Sequence, residues 1–382
     1  MNRLLLLGLL LPFAACKPSA PAAGTAPAAA PAATTLTVGL VTDVGGRGDQ
    51  SFNDGALRGL EAWAGGARFV GGKYERLSEA DRAATIPAAL RATVTPVAVR
   101  PLVVQSKMQE DYQPNLQLLV DQGAGLTIGV GFLLENALET VARANPGSRF
   151  LLIDSPLMDA AGKPYTLPNV RTVVYREEEG AFLVGALAGL VATEAVGFVG
   201  GMKLPLIEKF EAGFRAGVRS VNPRVKVLVQ YTGSFDNVSA GKAAGADLLA
   251  KGCQVVFHGA GIDGVGVIQA VKEAHDAGKR VYAVGVDSDQ SALAPEAMLT
   301  SMLKRVDLAV WEAVHDVATS QFQGGDRRLG LKEGGLALAE VKLDLPDKAS
   351  VLAKVDALAA RLISGELKAP STLAELEAAT PR

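Results

Sequence analysis

Two cysteines, Cys16 and Cys253, are all that the 382 residues contain. With Cys16 read as a lipid-bearing residue, as argued below, no intrachain disulfide can form, and the fold must rest on its apolar core. The three histidines, His258, His275 and His315, are isolated from one another, so no pair has metal-ligand spacing. A G-x-x-x-x-G-K-[ST] phosphate loop and a G-x-S-x-G nucleophile elbow are both missing, which removes the usual signals for triphosphate binding and serine-hydrolase chemistry. An excess of either charge is missing too. Lys and Arg number 38 against 40 Asp and Glu, and the net −2 gives no long-range attraction for nucleic acid or an anionic surface. The longest early apolar run, residues 4–11, falls short of the about 20 residues that a membrane span requires.

That run has another reading. Arg3 precedes it, and Ala14-Ala15 supply small residues directly before Cys16, the arrangement of a lipoprotein signal peptide cleaved ahead of a diacylated cysteine. Residues 1–16 are therefore the expected leader, with Cys16 the lipidation site. Residues 17–34 are almost entirely Ala, Pro, Gly, Ser and Thr. They cannot bury a core and read as an extended tether. The expected location is extracytoplasmic, anchored to a cell membrane through the lipid.

From residue 35 onward, short β-branched runs alternate with amphipathic stretches. Strands are expected at 36–41, 102–104, 126–130, 150–153, 170–174, 197–200, 225–229, 254–257 and 281–286. Strand and helix in alternation imply α/β architecture with parallel sheets covered on both faces. The strands exceed what one open sheet comfortably holds, and the Pro/Gly-rich stretch at 155–167 is the natural break. Two doubly wound lobes around a cleft are expected: residues 35–156, then 157–284, with 285–382 returning to the first lobe. Residues 65–101 have poor periodicity and read as an insertion of unassigned role.

In such sheets a ligand sits beyond the carboxyl ends of the strands. After the first strand stands Thr42-Asp43-Val44-Gly45-Gly46-Arg47-Gly48-Asp49-Gln50-Ser51-Phe52-Asn53. Its glycines allow close backbone approach, and Asp49 or Ser51 can cap the following helix. Phe52, Asn53 and Asp43 offer an aromatic face, an amide and a carboxylate, which is what a flat, polar-edged heterocycle needs. After 254–257, His258-Gly259-Ala260-Gly261-Ile262-Asp263-Gly264 satisfies G-x-G-x-x-G, and Asp287 stands where a dinucleotide fold would hold its ribose. Export argues against a nicotinamide cofactor, and none is expected. Gly259 and Asp287 suit any ribose. Lys304 can balance Asp287 or reach the sugar itself.

Taken together, the 42–53 segment, Gly129-Val130-Gly131-Phe132-Leu133-Leu134-Glu135, Glu178-Glu179-Gly180-Ala181-Phe182-Leu183-Val184-Gly185, Gly197-Phe198-Val199-Gly200-Gly201-Met202, Phe210-Glu211-Ala212-Gly213-Phe214, Gly285-Val286-Asp287-Ser288-Asp289-Gln290 and Thr300-Ser301-Met302-Leu303-Lys304-Arg305 resemble the basic membrane protein family of bacterial lipoproteins. Its purine nucleoside receptors are solute-binding proteins of ABC transporters. The resemblance implies a type I periplasmic-binding-protein fold whose lobes close on the ligand. It also implies that Asp43 and Asn53 bind the base edge, Phe52 stacks on the base, and Asp287 and Lys304 hold the ribose. Phe257, or alternatively Phe210, is expected as the second stacking ring, with Ser51 and Gly259 beside the ligand. The implied partners are a purine nucleoside (inosine, guanosine or adenosine) and an ABC permease with its ATPase. Two other readings stay open: a binding protein of the same fold for a sugar or other small solute, and a nucleoside-hydrolysing enzyme using Asp43 and Asp49.

Overall fold

Runs such as LTVGLVT at Leu36–Thr42 and FLLI at Phe150–Ile153 are apolar at nearly every position, the pattern of strands covered on both faces. A computed structural model, which describes residues 35–379, places them in a parallel sheet. The expected leader and tether, with Cys16, lie outside the described residues.

The first lobe begins with β1 (Leu36–Thr42) and α1 (Phe52–Leu57), which continues in wider π-type turns over Arg58–Ala64. A hairpin of β2 (Ala67–Val70) and β3 (Lys73–Arg76) and the short α2 (Glu79–Thr85) precede β4 (Val99–Gln105). Next come α3 (Tyr112–Asp121), β5 (Leu126–Val130), α4 (Glu135–Ala144) and β6 (Phe150–Ile153). A ribbon of β7 (Leu157–Met158) and β8 (Pro164–Tyr165) leads to β9 (Val170–Tyr175).

The second lobe comprises α5 (Glu177–Val191), β10 (Ala195–Gly200), α6 (Pro205–Val221), β11 (Lys226–Tyr231), α7 (Val238–Ala250), β12 (Cys253–Gly259), α8 (Asp263–Asp276), β13 (Tyr282–Asp287) and β14 (Met298–Lys304). The chain re-enters the first lobe with α9 (Val306–Ala318) and β15 (Gly325–Leu329), then returns to the second with β16 (Leu336–Leu338), α10 (Lys348–Ser364) and α11 (Leu373–Ala378).

The first sheet has the order β15-β9-β6-β5-β1-β4 and the second β11-β10-β12-β13-β14-β16. Every pairing within them is parallel except β14 with β16. The expected two-lobed α/β architecture is thus present, but the lobe boundaries differ from 156/157 and 284/285. β9 belongs to the first sheet because it pairs with β6, Ile153 opposite Val173. β13 and β14 belong to the second because β13 pairs with β12. The terminal helices, expected on the first lobe, pack on α5 and α6 of the second.

Three crossings join the lobes, at Arg176, at Arg305 and between Leu329 and Leu336, and they are bonded to one another. Arg176 N donates to Leu329 O at 2.9 Å, Arg305 N to Gly335 O at 2.8 Å, and the Tyr175 hydroxyl to Arg305 O at 3.2 Å. A triple, mutually hydrogen-bonded crossing is a hinge that can bend with little lateral slip.

Helices α5 and α6 cross with their backbones nearly touching. A Cβ on Gly217 would stand 2.0 Å from Phe182 O, and one on Gly213 would stand 2.3 Å from Glu178 O. Neither obstacle is a movable side chain, so Gly217→Ala must push the helices apart. A loss of about 2 kcal/mol is expected, read as a lower thermal midpoint with solute binding retained by the protein that remains folded.

Candidate functional site

An interlobe cavity with about 600 Å³ of empty space, its mouth included, lies at the carboxyl ends of strands from both sheets. Asp43, Phe52 and Asp154 line it from the first lobe, and Phe210, Asp287 and Lys304 from the second. The chain direction dictates this placement, because in parallel sheets all the strand-to-helix turns emerge on one edge.

The turn between β1 and α1 is organised by carboxylates. Asp49 is 1% exposed, and it accepts the backbone N–H groups of Ser51, Asn53 and Asp54 at 3.0, 2.7 and 3.0 Å. It therefore supplies the capping that the sequence left open between Asp49 and Ser51. Asn53 donates from Nδ2 to Asp43 Oδ1 at 2.7 Å and to Asp49 Oδ2 at 3.0 Å, and its Oδ1 receives Asp43 N at 3.3 Å. Its amide thus orients Asp43 while also lining the cavity. Asp43 Oδ1 receives Gly45 N as well, at 2.9 Å. The other oxygen faces the space beside Gly131, where a Cβ would come within 3.2 Å of it and 3.5 Å of the Phe52 ring. Burial raises the Asp43 carboxyl to about 6, against the hydrogen bond from Asn53.

Ser51 contacts the other lobe. Its hydroxyl donates to Asp287 Oδ2 at 2.6 Å, and the Ser288 hydroxyl donates back to Ser51 O at 2.9 Å. Ser51 is fully buried and holds Asp287 in place from behind. Asp287 itself sits at φ +63, and burial raises its carboxyl to about 7, opposed by the charge of Lys304.

Lys304 is the electrostatic centre. Its ammonium lies 2.6 Å from the Asp154 carboxylate and 2.9 Å from Glu177 Oε1, with the lysine side chain 2% exposed. The rings of Tyr175, Phe52 and Phe210 surround the same ammonium at 5.0, 5.4 and 5.7 Å. Burial opposes its charge, but Asp154, Glu177 and Asp287 more than compensate and hold its proton well above the usual lysine range. The sequence offered Lys304 as a balance for Asp287 or as a contact to the sugar; its charge does act on Asp287, but its direct partners are Asp154 and Glu177, which the sequence did not point to. Asp154 directly follows β6 and takes a left-handed φ of +74, a conformation non-glycine residues keep only where surroundings enforce it.

The aromatic assignment needs correction. Phe257 is fully buried and does not line the cavity; its ring packs 5.4 Å from Phe214 and 5.5 Å from Phe198. Strand alternation points it into the sheet–helix core and leaves the turn beyond it to reach the cavity. The alternative, Phe210, does line the cavity. Two further rings were missed: Phe132 of the first lobe and Phe235 of the second meet edge-to-face at the cavity wall, centroids 6.2 Å apart.

Gly259 lines the cavity as expected, with Ala260, Gly261 and Ile262. The last glycine of the fingerprint has a packing cause: the His258 ring lies against Gly264, where a Cβ would come within 2.0 Å. His258 is fully buried, bonded through Nε2 to Gln290 Oε1 at 3.0 Å, and burial lowers it to about 4, leaving it neutral. Among the described residues no cluster of three or more His, Cys, Asp or Glu is placed to hold a metal, and no helix is long and apolar enough to cross a membrane. The hydrolytic reading of Asp43 and Asp49 fits poorly, since both Asp49 oxygens are occupied by N–H groups of its own turn.

Known proteins match this geometry. The family model for PnrA-like ABC transporter substrate-binding proteins, Bmp, matches residues 36–370. An ABC transporter nucleoside-binding protein of Lactococcus lactis is 31% identical over 354 residues, which span 88% of this chain and 90% of that protein. An uncharacterized lipoprotein of Pyrococcus furiosus is 35% identical over 311 residues, 79% of this chain and 69% of that one. The crystal structure of an ABC transporter solute-binding protein from Aeropyrum pernix superposes with a TM-score of 0.72 at 29% identity, covering 90% of this chain and 96% of that one. That likeness fixes the two-lobed solute-binding fold, and the function it carries is binding rather than catalysis. This chain belongs to the Bmp family of PnrA-like substrate-binding proteins of ABC transporters.

Proposed function

We propose that the solute is a purine nucleoside, held between the lobes with its base against Phe52 and Phe210 and its ribose against Asp287 and Lys304. The observation that carries this reading is the sharing of one cavity by aromatic rings from both lobes and two carboxylates, part-buried Asp43 and buried Asp287, that desolvation has pushed up to about 6 and about 7. An aromatic pair suits a flat base, and carboxylates suit N–H and O–H donors. The nucleoside-binding relative of Lactococcus lactis supports the same choice. Asp154, beside Lys304 on the cavity wall, joins the polar end that would face the sugar. The protein would present this site outside the cytoplasm, tethered by lipid at Cys16, and deliver the nucleoside to a permease driven by its ATPase. The lipoprotein relative of Pyrococcus furiosus supports the anchor.

Calorimetry with inosine, guanosine, adenosine, their 2′-deoxy forms, the free bases and ribose tests the reading. Nucleosides are expected to bind at least about 100-fold tighter than free bases or deoxy analogues, because a lost hydroxyl leaves buried polar groups unpaired. Equal affinity for free bases and nucleosides would remove the ribose role of Asp287. Tight binding of ribose alone would make the protein a sugar receptor.

A further inference from the structure

The segment expected as an insertion has a direct connection to the ligand-facing turn. Its β2–β3 hairpin lies outside the cavity and carries exposed rings, Phe69 and Tyr74, packed edge-to-face with centroids 5.1 Å apart. The Tyr74 hydroxyl donates to Glu61 Oε1 at 2.7 Å, and the Phe69 ring lies 4.6 Å beneath the Arg47 guanidinium. Arg47 in turn grips Glu61 with both terminal nitrogens, at 3.0 and 2.6 Å, and Glu61 is 5% exposed. Arg47 stands in the middle of the turn that bears Asp43, Asp49 and Phe52.

That turn has reason to need an external hold. Gly46 and Gly48, at φ +63 and +95, leave the chain free to take other conformations, and the non-glycine Gln50, at φ +53, holds a left-handed conformation that persists only where surrounding contacts enforce it. Asp43 and Asp49 hold the turn's two ends, while at its middle Gly48 N and Gln50 N donate to the Asp54 carboxylate at 2.9 and 3.0 Å, at the exposed side. Arg47 N donates to Gln105 Oε1 at 3.0 Å. Ser51 ties the far end of the turn to Asp287, and at its middle the Arg47 side chain reaches buried Glu61, where a two-pronged guanidinium–carboxylate pair fixes direction as well as distance. Glu61 is thereby shared between the turn and the hairpin.

We infer that the hairpin acts on solute binding from outside the cavity: Phe69 and Tyr74, through Glu61, clamp Arg47 and hold the β1–α1 turn in its ligand-accepting geometry. Arg47, Glu61, Phe69 and Tyr74 are positioning residues, none of them lining the cavity. The inference goes beyond the nucleoside reading and rests on it only for the choice of probe.

Hydrogen exchange of the solute-free protein, together with nucleoside binding kinetics, tests the clamp in Arg47→Ala, Arg47→Lys, Phe69→Ala and Tyr74→Phe. In Arg47→Ala the amides of Gly45, Gly48 and Asn53 are expected to exchange about tenfold faster while those of Ile128 and Val199, in central strands, keep their protection. Nucleoside dissociation should speed up by a similar factor. Phe69→Ala and Tyr74→Phe should move the same amides in the same direction by about threefold, and Arg47→Lys, which keeps the charge but loses the fork, should recover only part of the loss. Phe69 and Tyr74 are surface residues, so those variants carry the test even if Arg47→Ala folds poorly. Unchanged turn amides in both Phe69→Ala and Tyr74→Phe would overturn the clamp. A wild-type protein that binds no nucleoside would sink the nucleoside reading alone, because the exchange result judges the clamp without a solute.

Discussion

Replacing Lys304 with methionine should lower folding stability by about 3–5 kcal/mol at pH 8 and abolish solute binding. The side chain is 2% exposed, and the carboxylates it touches, Asp154 and Glu177, are 6% and 0% exposed. Methionine fills much the same space, so the loss is of charge rather than volume. Lys209, 2.9 Å from Glu177, can still serve that group, but Asp154 would lose the cation in direct contact with it and Asp287 the nearby positive charge that opposes its burial. The thermal midpoint should fall by roughly 10 °C, given the size of the chain.

The pH dependence separates this account from a packing defect. Lys304 has a folded pKa above its unfolded one, so its contribution is complete below the unfolded value and is lost only as pH rises through the folded one, far above neutrality. In the wild-type protein it therefore changes little between pH 5 and pH 8. In Lys304→Met the orphaned carboxylates acquire raised folded pKa values, which destabilise the ionised form at high pH and are relieved as pH falls and they take up protons. Melts at pH 8 and pH 5 should show the variant recovering much of its deficit at the lower pH, and Lys304→Arg should remain close to wild type at both. An equal deficit at both pH values would assign the loss to packing.

How much of this arrangement was legible in the sequence follows from the range of the interactions. Strands such as Leu36–Thr42 and Phe150–Ile153 announce themselves by local composition, and so does the turn after the first strand, whose glycines and acids lie within a dozen residues of one another. Lobe membership was not legible, because whether Val170–Tyr175 joins the first sheet depends on a ladder with Phe150–Ile153 across a linker that itself folds as a ribbon. Asp154, Phe132 and Phe235 all follow strands of the two sheets, and a uniform search just beyond every strand would have found them. Phe257 was misplaced for the complementary reason: it is within its strand, where alternation aims it at the core, while Phe210 reaches the cavity from a helix that the strand-end rule does not cover. The clamp on Arg47 had no sequence signal at all, since Glu61 and Tyr74 meet it only after the hairpin folds back along α1.

Asp43→Asn is expected to weaken nucleoside binding by about 100-fold or more and, at the same time, to stabilise the empty protein at pH 8. Both effects come from the same carboxylate. Oδ1 is occupied by Gly45 N and Asn53 Nδ2, whereas Oδ2 faces the space left by the missing side chain of Gly131, next to the Phe52 ring. A base N–H placed there would donate to an ionised carboxylate, and an asparagine NH₂ in that position would oppose it donor to donor. In the empty protein the carboxyl titrates at about 6, raised from 3.8 mainly by burial. A folded pKa above the unfolded one means that the ionised group opposes folding above pH 6, by an amount on the order of 3 kcal/mol, and that this cost vanishes as pH falls toward 4. Asparagine removes the cost, so the variant should melt higher than wild type at pH 8 and nearly level with it at pH 4. Nucleoside affinity of the wild-type protein should decline in two stages as pH falls, first near pH 7 as Asp287 takes up a proton and then below about pH 6 as protons compete for the Asp43 oxygen that the base requires, with protons released on binding near those values. Asp43→Asn should lose the second stage along with most of its affinity. Melting curves and calorimetry across pH 4 to 8 measure both, and a variant that binds as tightly as wild type with the same pH profile would take Asp43 out of the base-binding role.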